Sequence, residues 1–276
     1  MAEQRQKAQV AHQVKQLVSL SSALSERLGD LVQELASSNQ AGFTGEFTGT
    51  VTVDLERLRA ALHHTADLNA RFFRHRGRLL AVLVFLEPLV DTQRLKGLVE
   101  DLDKFLRQGP PKAALNPAWW RFSDEVEAVP KVDEAVTRLL TGHAVLCLEG
   151  QRQVWVYEVR SFRQRAVQEP EAERLVRGPR DGFVENVEVN VALVRQRLVT
   201  PRLVVRVYRL GDVARTRVVL LYVEGLTPPH LVTEVERRLA RVRSDSLLDS
   251  GQLEQWLEDR PHSPFPQLME TERPDR

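Results

Sequence analysis

The sequence predicts an α/β protein: two similar small α/β subdomains, each a helix-strand-strand-helix repeat, preceded by an N-terminal amphipathic helix. Three observations carry this reading. Apolar residues recur at helical spacing through the first 36 positions. Two blocks later in the chain share the order helix, strand, strand, helix. Finally, VLVFLEPLVDTQRLKGLVEDL from Val82 sets on VLLYVEGLTPPHLVTEVERRL from Val219 without a gap, with identities at Val82/Val219, Leu83/Leu220, Glu87/Glu224, Leu89/Leu226 and Leu102/Leu239. Five identities carry little as homology; the shared order of elements carries more.

Val10, Val14, Leu17, Leu24, Leu28, Leu31 and Leu35 form a heptad seam, with Ser21 at the missing position. Such a stripe serves either packing on its own domain or association with a partner helix. SSNQAGFTGEFTGTVT reads as a linker. A helix fits DLERLRAALHHTADL, Asp54 to Leu68, with Asp54 placed to cap it and Leu55, Leu58 and Leu62 on one stripe. Strands follow at NARFFRHR and RLLAVLVFLE, the second apolar enough to be central in a sheet, then a helix from about Thr92 to Arg107 that stops before Gly109-Pro110-Pro111. KVDEAVTRLL is a short helix, and HAVLCLEG and QVWVYEVRSF are strands about a Gly150 turn. The second block has a helix from about Phe183 to Leu198, strands RLVVRVYRL and RTRVVLLYVEG, and a helix from His230 to about Val242. The expected division is 1–40 amphipathic helix, 41–165 first subdomain, 166–262 second subdomain, and 263–276 a polar, proline-rich tether.

Composition excludes several classes. Hydrophobic residues at 42% and charged residues at 28% are the balance of a globular chain, not of a disordered or disulfide-stapled one. With 39 basic against 38 acidic side chains there is no global field to gather nucleic acid or anionic lipid. The single cysteine, Cys147, forms no internal disulfide and sits in an apolar strand as a small core residue. The longest apolar run, Leu79 to Leu86, is far short of the roughly 20 residues a membrane span needs.

Catalytic motifs are missing. The chain has no G-x-x-x-x-G-K-[ST], no G-x-G-x-x-G after a strand, no G-x-S-x-G and no H-E-x-x-H. Adjacent His63 and His64 point about 100° apart on a helix and cannot share a metal as an i, i+4 pair does. Arg71, Arg74, Arg76 and Arg78 surround one strand turn, and Arg202, Arg206, Arg209, Arg215 and Arg217 the matching hairpin; both read as charged outer sheet faces. No enzyme, cofactor or metal is expected.

One stretch is unlike generic surface: RAVQEPEAERLVRGPRDGFVEN, Arg165 to Asn186. Gly178-Pro179 fixes a turn, and Asp181 or Gly182 caps the helix after it. Phe183, Val187, Val191, Val194 and Leu198 form its core stripe, Asn186 and Asn190 fall on a neighbouring face, and Arg195 and Arg197 crowd its end, where the helix dipole favours cations. Opposite charges cluster about the turn, so Glu169, Glu173, Arg177 and Arg180 are expected to pair among themselves or across the subdomain seam.

These residues resemble the GerA family of spore germination proteins, and within it the A subunits of germinant receptors. The resemblance rests on EPEAERLVRGPRDGFVENVEVNVALVRQRL (Glu169 to Leu198), SPFPQ from Ser263 and TERPD from Thr271, and extends loosely back to about Asp54. Matched onto this chain, the signature and interface residues are Glu169, Pro170, Glu173, Arg177, Gly178, Pro179, Arg180, Gly182, Phe183, Glu185, Asn190 and Arg195. A sister branch, stage V sporulation protein AF, carries a similar signature. The resemblance implies a subunit of a nutrient-sensing complex of the spore inner membrane that triggers ion release. It further implies germinant receptor B and C subunits as partners, self-association of A subunits, no nucleic acid, and membrane attachment through a C-terminal region absent here. This domain would face the spore core and loosely resemble a solute-binding protein. Two alternatives stand beside that reading: a small-molecule binding module with ligand between the subdomains, and a stage V AF-type assembly protein.

Overall fold

The computed structural model describes residues 45–107, 126–161, 182–244, 250–259 and 267–274. The heptad helix and the signature residues Glu169, Pro170, Glu173, Arg177, Gly178, Pro179 and Arg180 lie outside the described residues.

The first block opens with α1 (Val51–Ala61) and the hairpin β1 (Leu68–His75) and β2 (Arg78–Leu86), followed by a 3-10 turn at Glu87–Leu89 and α2 (Thr92–Arg107). It closes with β3 (Val126–Val129), α3 (Val132–Leu140), β4 (His143–Leu148) and β5 (Val154–Glu158). The strands make one antiparallel sheet in the order β1-β2-β4-β5-β3. β2 is internal to it, as its continuous apolar run predicts. Ala81, Leu83, Leu146, Leu148, Trp155 and Tyr157 pack on the α2 stripe of Leu98, Leu102 and Leu106. Buried Val82, Val84, Val145, Cys147, Val154 and Val156 have the opposite parity and meet the side covered by α1 and α3. Both faces of these strands are dry, so they read as apolar runs rather than as alternation.

α1 begins one turn earlier than expected, at Val51, and Asp54 does not cap it. Asp54 is 1% exposed, and its carboxylate accepts hydrogen bonds from Thr48 N–H (2.8 Å), Thr48 Oγ1 (2.8 Å) and Gly49 N–H (3.0 Å). The end of the presumed linker is thereby fastened to the sheet layer, with Phe47 buried and its N–H on Pro130 O.

The second block is α4 (Val187–Arg197), β6 (Leu203–Leu210), β7 (Thr216–Val223), α5 (Pro229–Leu239) and α6 (Ser250–Leu257). The order helix-strand-strand-helix therefore recurs, with aligned Leu102 and Leu239 both buried. β6 and β7 form a separate antiparallel pair. Tyr208, Leu210 and Val218 pack under Val235 and Leu239 of α5 and Leu253 and Leu257 of α6, while Val205, Val207 and Val219 face Val187 and Val191 of α4. The sequence shows α6 only as an exposed helical pattern at Glu254 and Glu258; Leu253 and Leu257 anchor it. The tail is more than a tether, since Arg273 is 3% exposed. Among the described residues no helix is long and apolar enough to cross a membrane.

Candidate functional site

The described part of the signature centres on α4. Asn186, not Asp181 or Gly182, caps this helix, its Oδ1 accepting from Glu188 N–H at 2.9 Å. The delay has a cause in the preceding backbone. Val184 N–H donates to Asn190 Oδ1 (2.8 Å), Asn190 Nδ2 donates to Val184 O (2.7 Å), and Phe183 N–H donates to Glu272 O (2.7 Å). The Asn190 amide copies a backbone partner, so Phe183 N–H and both backbone groups of Val184 are satisfied sideways, without a helical turn.

This arrangement brings together two segments that are far apart in the chain, Gly182–Asn190 and Thr271–Arg273. Gly182 is buried, Phe183 and Asn190 half-buried, and Glu185 exposed. The stripe is also corrected: Val191 is buried, but Leu198 is 46% exposed, and Leu193 and Arg195 take the buried places. α4 has neighbours on more than one side, so a single apolar stripe does not describe it.

Arg195 does more than complement a helix dipole. Its Nε donates to Asp67 Oδ2 (2.6 Å) and its Nη2 to Asp67 Oδ1 (2.8 Å) and Thr65 Oγ1 (3.0 Å). The two charged side chains are 0% and 6% exposed. Thr65 Oγ1 donates to Asp67 Oδ1 (2.6 Å) and accepts from Val205 N–H (2.9 Å); Ala66 N–H donates to Val205 O (2.9 Å), and Glu87 N–H to Asp67 O (3.0 Å). The segment Thr65–Asp67 is thus bonded to α4, to β6 and to the end of β2 at once, and it joins the two sheets. A bidentate guanidinium-carboxylate pair is directional as well as strong, so it fixes an orientation and not merely a distance. Sequence reasoning runs the helix on through Thr65 and Asp67 to Leu68; the helix ends at Ala61 instead, and the two residues stand between it and β1 with no motif around them.

His63 and His64 are not on the helix but follow it, both with left-handed backbone (φ 50° and 51°), which turns the chain toward Thr65. Burial lowers the His63 pKa, against the opposing pull of Glu224. Among the described residues no group of three His, Cys, Asp or Glu is placed to hold a metal. Beside the joint lies a cleft of about 100 Å³ between the Glu87–Leu89 turn and α4, with Glu87, Thr92, Ser161, Asn186 and Gln196 among its lining. Ser161 Oγ is buried there without a hydrogen-bond partner. The residues furnish hydrogen-bonding groups but no nucleophile activated by a base.

The model of the Bacillus/Clostridium GerA spore germination proteins matches residues 56–276. This chain belongs to the GerA family. It is 37% identical over 201 residues to spore germination protein B1 of Bacillus subtilis, covering 72% of this chain and 42% of the relative. It is also 37% identical over 196 residues to stage V sporulation protein AF of the same organism, covering 70% and 40%. The chain thus spans less than half the length of these family members. Its fold is similar to the crystal structure of the N-terminal domain of the A subunit of the Bacillus megaterium spore germinant receptor GerK3, with a TM-score of 0.59 at 24% identity over 85% of this chain and 88% of that one. Every described signature residue, and the Asp67–Arg195 pair with them, falls within the family match.

Proposed function

We propose that this chain is the soluble N-terminal domain of a spore germinant receptor A subunit, a non-enzymatic part of a nutrient-sensing membrane complex that triggers ion release. In this reading it faces the spore core, works with B and C subunits and further A subunits, and attaches to the inner membrane through a region that follows it in the full-length protein. The observation that carries the reading is the connected path from Glu272 through Phe183 and Asn190 into α4, and on through Arg195 to Asp67. A domain whose signature is bonded both to its own C-terminal segment and to its other sheet is suited to transmit an orientation. Glu169, Pro170, Glu173, Arg177, Gly178, Pro179 and Arg180 belong, on this proposal, to the same interface.

The test is genetic. In the sporulating host, spores lacking the gene should lose their fall in optical density and their ion release toward one class of amino acid or sugar. The full-length wild-type gene should restore both; a full-length Arg195→Ala gene should not. Equal identity to stage V sporulation protein AF supports a second reading, an assembly role. That reading is favoured if the deletion leaves the nutrient range intact and alters every response alike. Unchanged germination under all conditions would sink both.

A further inference from the structure

The sheet edges differ in how they are closed. β1, one edge of the five-stranded sheet, exposes Arg71 and Arg74, and β3, the other, has only four residues. Charge and brevity both discourage pairing with a foreign strand. The β6-β7 pair is less completely closed among the described residues: on β6 the outward groups of Val205 are taken, while those of Val207 and Arg209 have no such partner. Glu224 N–H donates to Arg202 O at 2.8 Å, and the register sets Tyr222, Leu220 and Val218 opposite Val204, Arg206 and Tyr208. Alternation in an antiparallel ladder then turns the backbone groups of Arg217, Val219, Leu221 and Val223 away from β6.

Val223 is closed by its own turn: its N–H donates to Thr227 Oγ1 (3.3 Å), and its O accepts from Thr227 N–H (2.9 Å). On β6, Val205 is closed by Thr65 and Ala66. Arg217, Val219 and Leu221 have no such backbone partner among the described residues. They leave a row of three donors and three acceptors on a strand whose other members are Thr216, Val218, Leu220 and Tyr222, none of them buried. The Arg217 side chain is already engaged with Glu188.

We propose that this edge pairs with the same edge of a second copy of the chain, antiparallel, about a two-fold axis through Val219. In that register Val219 faces Val219 and Arg217 faces Leu221, so every outward donor and acceptor of both copies is used. Val218 faces Leu220, an apolar pair, and no like charges meet. A slip of two residues would strand an outward residue at each end. The product is a four-stranded antiparallel sheet, β6-β7 continued into its copy. This surface does not depend on the receptor reading.

The 276-residue chain tests this directly. Facing residues of a hydrogen-bonded pair have Cα atoms about 5.5 Å apart, within reach of a disulfide, and buried Cys147 does not compete. Under copper-phenanthroline oxidation Val219→Cys should give a covalent dimer, while Val207→Cys, on the outward side of β6, should stay monomeric. Val219→Pro removes an N–H the hairpin does not use, and should lower the dimer fraction in sedimentation. Cross-linking of Val219→Cys no greater than of Val207→Cys overturns the proposal, whatever other association the chain shows.

Discussion

Replacing Arg195 by alanine removes one side of the joint and leaves the other in place. Asp67 keeps a carboxylate that is 6% exposed, stripped of the two hydrogen bonds at 2.6 and 2.8 Å, and Thr65 Oγ1 loses its bond from Nη2. Breaking a buried pair from one side costs roughly 3–5 kcal/mol, because the surviving charge is uncompensated. For a domain of this size each kcal/mol lowers Tm by roughly 2–4 °C, so the fall should be about 6–20 °C. Urea unfolding followed by circular dichroism measures the first figure and a thermal scan the second. Two comparators isolate the cause. Arg217→Ala breaks the exposed pair with Glu188 (2.5 Å, side chains 36% and 47% exposed) and should cost at most about 1 kcal/mol. Arg195→Met combined with Asp67→Leu removes both charges and should recover most of the loss, since apolar replacement of a buried pair is often neutral. If Arg195→Ala costs no more than Arg217→Ala, the joint does not hold the sheets together as argued.

Three further outcomes are expected. Asp54→Ala strips three donors near residue 48 of their acceptor, and should lower stability by about 1–3 kcal/mol in the same urea experiment. Gly142 has φ +87°, and a Cβ there would lie 2.9 Å from Leu89 O and 3.1 Å from Arg160 Cγ; Gly142→Ala should therefore destabilise by about 1–3 kcal/mol, against the gain that the same change gives in an unstrained helix. The pH dependence has two arms. Tyr208 is pushed up to about 12 by desolvation and its hydrogen bond to Glu236, so the stability it contributes is intact below its ordinary value near 10 and lost as pH rises through 12. Burial lowers His63 and His143 below 6.5, so their contribution is present above that value and is lost as pH falls below it. Tm measured across pH should decline at both ends; a Tm that rises between pH 6.5 and 5 would contradict the second arm.

Where residues answer to near neighbours, the chain was readable. The start of α2 is as expected: Asp91 Oδ1 accepts from Gln93 and Arg94 N–H at 2.9 and 3.0 Å, and a leucine stripe faces the sheet. β2 announced its internal place by being apolar throughout, and buried Cys147 is the small core residue its strand implied. Asp54 was correctly singled out but wrongly employed, because the bonds that define it run back to residues 48 and 49, outside any helical pattern. Arg195 was marked by the family signature and, locally, only by its place at a helix end. Its partner stands 128 residues earlier, and a pair at that separation leaves no periodicity in either segment. The start of α4 was misplaced for a related reason: Phe183 gives its N–H to Glu272, which no reading of adjacent residues supplies.

The distance between Asp67 and Arg195 also sets an order of events in the making of the protein. Ribosomes add roughly 5–20 residues per second, so the 128 positions that separate the pair take roughly 6–26 s to synthesise. All strands of the larger sheet leave the ribosome within that interval, and they can assemble while Thr65–Asp67 still faces water. The carboxylate that will end up dry is hydrated throughout this wait and gives up its water only when α4 arrives. Closure of the joint is therefore a late step, made after the first sheet, and its arrival commits the two halves of the chain to one another.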